Sequence, residues 1–169
     1  MRESMKPITF SKMSGSGNDF IIIDNRAGVV GGIDLEEFIT SVCRRKLSVG
    51  ADGLILIESS DKADFRWQFF NSDGSRAEMC GNGARCAARF AHINGIAGQT
   101  LSFETDAGIV SGQDDAERAK IKMPDPSDLR MDYSIELADG PIAVSSINTG
   151  VPHVVIMQDD LDDVDVIGL

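Results

Sequence analysis

Cys43, Cys80 and Cys86 are the thiols of this chain, and only Cys80 stands where a thiol is activated by its surroundings. It is followed by Gly81, Asn82 and Gly83. The apolar spacing of Ala84, Cys86, Ala87, Ala88, Phe90, Ala91 and Ile93 then predicts a helix that starts at this cysteine and stops at Asn94 and Gly95. The first N–H groups of a helix lack internal acceptors and carry partial positive charge. A thiol placed there loses its proton more readily than a free cysteine. A carboxylate can dock on the same N–H groups, and glycine lets it come close. A thiolate beside a carboxylate cradle suits proton transfer on an amino or hydroxy acid. The competing reading is a buried cysteine in a glycine-punctuated turn. Gly-Asn-Gly directly after the thiol, and Asn71 ahead of the preceding turn, argue against it.

The elements that must position this stretch follow from the pattern on either side. An aromatic run at 65–70 reads as a strand leading in, and 72–74 as a turn. Upstream, residues 1–7 read as a frayed start, 8–13 as an alternating strand, and 14–20 as a glycine turn bearing Asn18, an asparagine at home in a turn. A β-branched strand at 21–24 follows. A dinucleotide-binding Gly-x-Gly turn opens a helix, so that reading is rejected here. Asp34, with Glu37 three residues on, opens a helix through Leu35, Phe38, Ile39 and Val42. Arg44, Arg45 and Lys46 are expected in its last turn as a solvated end, and Cys43 in the core. A tight turn at 49–53 feeds a strand at 54–58. Downstream, a hairpin is expected at 100–112, then strands at 119–123, 135–137, 142–148 and 153–157, and a loop entering a helix at 159–163. Pro124 and Pro126 break the pattern. The expected division is 1–118 as a first lobe and 119–169 as the opening of a second.

The composition is globular, and a net charge of −11 argues against nucleic acid or an anionic membrane as the main partner. No apolar run is long enough for a transmembrane helix, and the first residues lack the apolar core of a signal peptide. Three cysteines without a Cys-x-x-Cys pair, and two histidines without ligand spacing, point away from a metal site and toward a reducing cytoplasm. A weak repeat relates Gly17 and the strand after it to Gly150 and the strand bearing His153. If the second lobe mirrors the first, the counterpart of Cys80 falls past Leu169. The chain is therefore expected to be an N-terminal portion.

Five pieces resemble the diaminopimelate epimerase family in order: 12–20, 50–53, 70–75, 79–86 and 150–153, with Cys-Gly-Asn-Gly-Ala-Arg-Cys the most specific. The resemblance implies an α/β (α+β) fold of two pseudo-symmetric lobes, each a mixed or antiparallel sheet wrapped around a central helix, the second incomplete here. It implies a cofactor-free epimerase that interconverts LL- and meso-2,6-diaminopimelate for lysine and peptidoglycan synthesis, with one cysteine from each lobe exchanging the α-proton. Homodimers are common in the family. By position, Cys80 is one catalytic thiol and His153 tunes the thiols. Gly81 and Asn82 hold the α-carboxylate, Asn18 and Asn71 contact the substrate, and Cys86 is packing.

The chain departs from the family at Val151, where many members have Asn and Asn148 is the expected substitute, and at Gly53, where some have Gln. The second cysteine and the Glu-Arg before it are absent, so the chain alone is expected to be inactive or nearly so. Two alternatives stay open: a proline or hydroxyproline racemase on a related scaffold, and a non-catalytic ligand-binding or thiol-redox module using Cys80 and Cys86.

Overall fold

A computed structural model of the chain describes residues 7–137, 140–161 and 164–165. It divides into two compact units, Met1–Met123 and Pro124–Leu169.

The first unit holds strands β1 (Ser11–Gly15), β2 (Asn18–Asp24), β3 (Gly53–Glu58), β4 (Phe65–Asn71), β5 (Arg76–Ala77), β6 (Thr100–Thr105), β7 (Gly108–Asp114) and β8 (Ala119–Lys122). Helices α1 (Leu35–Cys43) and α2 (Gly81–Ile93) complete it. The strands form one mixed sheet in the order β1-β2-β3-β4-β6-β7-β8, with β5 appended to β4. The β2–β3 and β4–β6 pairs are parallel and the others antiparallel. Helix α2 touches β1 at one end of this path and β8 at the other, so the sheet curls around it as a half-barrel.

Alternation along the strands explains the two layers. In β2, Phe20 and Ile22 face the α2 side while Ile21 and Ile23 face α1; in β3, Ile55 and Ile57 oppose Leu54 and Leu56 in the same way. A strand buried on both faces reads as a continuous apolar run, as 20–23 and 54–57 do. Inside the curl, α2 buries mostly small residues: Gly83, Ala84, Cys86, Ala87, Ala88 and Ala91, with Phe90. Small side chains let the helix axis approach the sheet, and aromatics from the strands fill the rest. Phe65 stacks on Phe103 at 4.9 Å, and Trp67 lies 5.5 Å from Phe103 and 5.6 Å from Phe69.

Residues 119–122, expected to open the second lobe, pair with β7 from Ser111 to Asp114 and so extend the first sheet. The division falls at Pro124, which cannot donate to a ladder. Beyond it, β9 (Ser127–Leu137), β10 (Gly140–Asn148) and β11 (Pro152–Val155) form an antiparallel sheet in the order β11-β10-β9. β9 is eight residues longer at its start than the pattern suggested. Asp128 and Asp132 sit at positive φ (56° and 50°) and the register with β10 shifts, so apolar alternation is broken there. The helix entry expected at 159–163 falls partly outside the described residues. Among the described residues, no helix is long and apolar enough to cross a membrane.

Candidate active site

The approach to α2 is built from turns. Asn71 ends β4, and the chain reverses at 71–75 through an Asn71 N–H bond to the Ser75 carbonyl (2.8 Å) and a Gly74 N–H bond to the Asn71 carbonyl (3.0 Å). Gly74 takes φ +87°, which only glycine adopts freely. Met79 is buried, and Cys80 follows as the N-cap of α2 with extended backbone (φ −149°). Its Sγ accepts a hydrogen bond from the Gly83 N–H at 3.4 Å, the place usually taken by a serine or aspartate oxygen. The thiol is half-buried. The N–H groups of Gly81 and Asn82 belong to the first turn and have no intrahelical acceptor. Thiol and free donors therefore lie at one point, as the sequence pattern predicts.

The β1–β2 hairpin rests on this helix start. Its turn residues, Ser16 and Gly17, both have positive φ (53° and 92°), the geometry that matches strand twist in a two-residue turn. Gly15 makes the approach possible: a Cβ there would lie 2.9 Å from the Asn82 carbonyl oxygen and 3.2 Å from Cys86 Sγ. Asn82 Nδ2 donates to Asn18 Oδ1 at 2.5 Å. Arg85 donates to Asn82 Oδ1, and to Ser16 Oγ at 3.0 Å. Asn18 Nδ2 donates in turn to Asp52 Oδ2 at 3.3 Å.

Beyond Asn18 lies a charge cluster. Arg45 bonds Asp19 at 2.6 and 3.1 Å and Asp52 at 2.7 Å, and Lys12 pairs with Asp19 at 2.9 Å. The Arg45 guanidinium, with Lys12 and the Asp52 N–H adding to it, holds the Asp19 carboxyl well below the usual carboxylate range. The Asp19 N–H and then Arg45 and Asn18 lower that of Asp52. This corrects the reading of 44–46 as a solvated helix end: α1 stops at Cys43, and Arg45 bridges two acids from other elements. Gly53, level with Phe20 and Asn71 across the sheet, has no room for a side chain, since a Cβ would lie 2.5 Å from the Phe70 carbonyl oxygen.

The structure thus brings Cys80, Gly81, Asn82 and Asn18 together. It gives the Asn71 side chain to its own turn, where Nδ2 donates to Ser75 Oγ at 3.0 Å. His153 lies in the second unit, exposed on β11 opposite Ile147. Asn148, the expected substitute for an asparagine at Val151, accepts the Gly150 N–H at 2.9 Å within its own turn. Cys43 and Cys86 are buried, and desolvation pushes each thiol up to about 11. Sequence reasoning missed Arg85 and Asp52 as partners of the site asparagines. Arg85 was findable, standing three residues after Asn82 on one helix face. Asp52 meets Asn18 only through the β2–β3 pairing.

Comparison with known proteins gives the site its context. Residues 10–128 match the family model for diaminopimelate epimerase. The chain is 44% identical over 171 residues to the diaminopimelate epimerase of Aquifex aeolicus, covering 95% of this chain and 61% of that protein. It is 46% identical over 167 residues to that of a Hydrogenobaculum species, covering 92% and 60%. It thus spans about three fifths of the length of these relatives. Among solved structures, a hydroxyproline epimerase from Agrobacterium vitis shares the fold with a TM-score of 0.66 at 14% identity, over 87% of this chain and 50% of that one. A half-barrel closed around a helix whose N-cap is a thiol, matched over 10–128 by one family model, places this chain in the diaminopimelate epimerase family.

Proposed function

We propose that this chain supplies one face of a cofactor-independent epimerase that interconverts LL- and meso-2,6-diaminopimelate. One observation carries the reading: the Cys80 thiol caps α2 beside the free first-turn N–H groups of Gly81 and Asn82. A substrate α-carboxylate docked on those N–H groups sets the α-carbon near the sulfur. Cys80 as thiolate takes the α-proton; the C–H bond breaks and an S–H bond forms. The electron pair left on carbon spreads into the carboxylate, whose developing charge the helix N–H groups stabilise. A thiol on the opposite face then gives its proton to carbon, and the configuration is inverted with no net change in atoms or electrons. No pyridoxal phosphate is needed. Asn18 and Asn71 contact the substrate, and His153 tunes the thiols. Neither Cys43 nor Cys86 can serve as the opposite thiol, because both are buried in the first unit. That group comes from outside residues 1–169, and these residues alone turn over no substrate.

The test is solvent-deuterium exchange at the α-carbon, measured with the intact protein. Exchange into diaminopimelate is expected, with Cys80→Ser slowing it by roughly 100-fold to 10,000-fold. Exchange into proline but not diaminopimelate would move the reading to the proline class. Turnover by the 169 residues alone would refute the two-thiol assignment.

A further inference from the structure

We propose that Arg85 and Asp52 are positioning residues that lock the side-chain amides of Asn82 and Asn18 in one orientation. Both ends of the chain Arg85–Asn82–Asn18–Asp52 are chemically one-sided. A guanidinium can only donate, so Asn82 must turn Oδ1 toward Arg85. An ionised carboxylate can only accept, so Asn18 must turn Nδ2 toward Asp52. The central bond, Asn82 Nδ2 to Asn18 Oδ1 at 2.5 Å, satisfies both demands at once, and flipping either amide would oppose donor to donor or acceptor to acceptor. Each end is itself anchored. Arg85 also holds Ser16 Oγ, while Asp52 is held by Arg45 at 2.7 Å and by the Asp19 N–H at 3.1 Å.

The lock has a consequence at the helix start. Each amide nitrogen has a second N–H beyond these bonds, so the lock leaves each asparagine a donor, and not an acceptor, to offer a ligand at the helix start; a carboxylate group is what such donors select. This step rests on the reading that the first turn of α2 takes a carboxylate.

The test compares iodoacetate with iodoacetamide as alkylating agents on the intact protein, read by mass on the Cys80 peptide. The two reagents differ in a carboxylate. Relative to a free thiol, the wild type is expected to favour iodoacetate. Asp52→Asn removes one of the two holds on Asn18, leaving only its bond to Asn82, and the loosened amide is expected to lower that preference roughly threefold to tenfold. Charge alone predicts the reverse, because removing an acid should speed an anionic reagent. Arg85→Gln should also lower the preference, whereas Arg85→Lys, still a donor-only cation, should keep most of it. An unchanged or raised preference in Asp52→Asn overturns the lock.

A wild type without any preference overturns the carboxylate reading instead, and the lock is then decided by nuclear magnetic resonance of the side-chain amides. Slow solvent exchange at both Asn18 and Asn82, lost at Asn82 when Asp52 is replaced, supports the lock. Unaltered protection at Asn82 refutes it. Should Asp52→Asn fail to fold, Arg85→Gln reads the same loss from the other end, at Asn18.

Discussion

At the C-terminal end of α2, Asp114 is 1% exposed and accepts hydrogen bonds from Arg89 at 2.8 Å and His92 at 2.9 Å. Its own N–H is bonded to the Gln99 carbonyl at 2.8 Å. At the N-terminal end of the same helix, Cys80 is half-buried against the apolar core, and its Sγ takes the Gly83 N–H rather than a charged partner. One end closes its polar groups on each other inside the protein. The other leaves N–H groups without intrahelical acceptors, held open by the hairpin that leans on them. A buried charge cluster fixes where a helix sits; it does nothing for a ligand. An open helix start fixes little, but it can bind. Buried charge alone would therefore have pointed to the C-terminal end of this helix rather than to the end proposed as the site.

The largest effect should come from breaking the closed end. Asp114→Ala leaves Arg89 and His92 without their acid, and removing one partner of a buried pair costs several kcal/mol. Arg89 is 31% exposed and can recover some hydration, so about 3 kcal/mol is expected in chemical denaturation. A change below about 1 kcal/mol would mean the cluster is not an anchor.

The second prediction contrasts thiols on one helix. At pH 8 a thiol pushed up to about 11 is ionised in about one molecule in a thousand, and Cys86 is also buried. Iodoacetamide should label Cys80 at least about 100-fold faster than Cys86 or Cys43. Equal labelling of Cys80 and Cys86 would erase the distinction between an open start and a packed interior, and would favour the thiol-redox reading.

The third separates contact from conformation at the open end. Gly15→Ala drives a methyl group against the Asn82 carbonyl and Cys86, and should destabilise by about 1–3 kcal/mol while disturbing the first turn of α2. Gly17→Ala has open space but φ +92°, so it should cost about 1 kcal/mol and leave Cys80 labelling unchanged. If Gly17→Ala slows the labelling as much as Gly15→Ala, the hairpin does not position the helix start by contact.

Most of the first unit was legible because local signals agreed. The continuous apolar runs at 20–23 and 54–57, the Asp34 cap that accepts the Glu37 N–H at 3.1 Å, and the Cys80 start of α2 all lie within a few residues of their causes. The repeat was also legible: Gly17 and Gly150 each turn a strand back on its predecessor, as β1–β2 and β10–β11. What was not legible depends on pairing across the sheet. Asp52 reaches Asn18, Asp114 reaches Arg89 and His92, and Arg45 reaches Asp19, each from a separate segment. Nothing in 110–118 marks Asp114 as different from Asp115, which simply caps its own turn by accepting the N–H groups of Glu117 and Arg118. The β9 strand was underread because two aspartates at positive φ interrupt its pattern.

The smallest effect concerns acid. Burial by itself raises the Asp114 carboxyl, but the Arg89 and His92 hydrogen bonds outweigh it, so the folded group titrates below the ordinary carboxylate range. In the unfolded chain it should titrate near 3.9. The unfolded state therefore binds the proton first. The stabilisation is fully present above that unfolded value and is lost as pH falls through the folded one. Thermal midpoints should owe no slope to this group between about pH 7 and 5, and should decline below about pH 4. Asp19, Asp24, Asp52, Asp73, Glu104 and Asp115 are lowered too and add to the acid slope. All of them remain in Asp114→Asn, so the difference in slope between wild type and variant isolates the closed end of α2. A shallower acid decline in the variant is expected. Parallel curves would mean that Asp114 is held as firmly when protonated, and that its two partners act through shape alone.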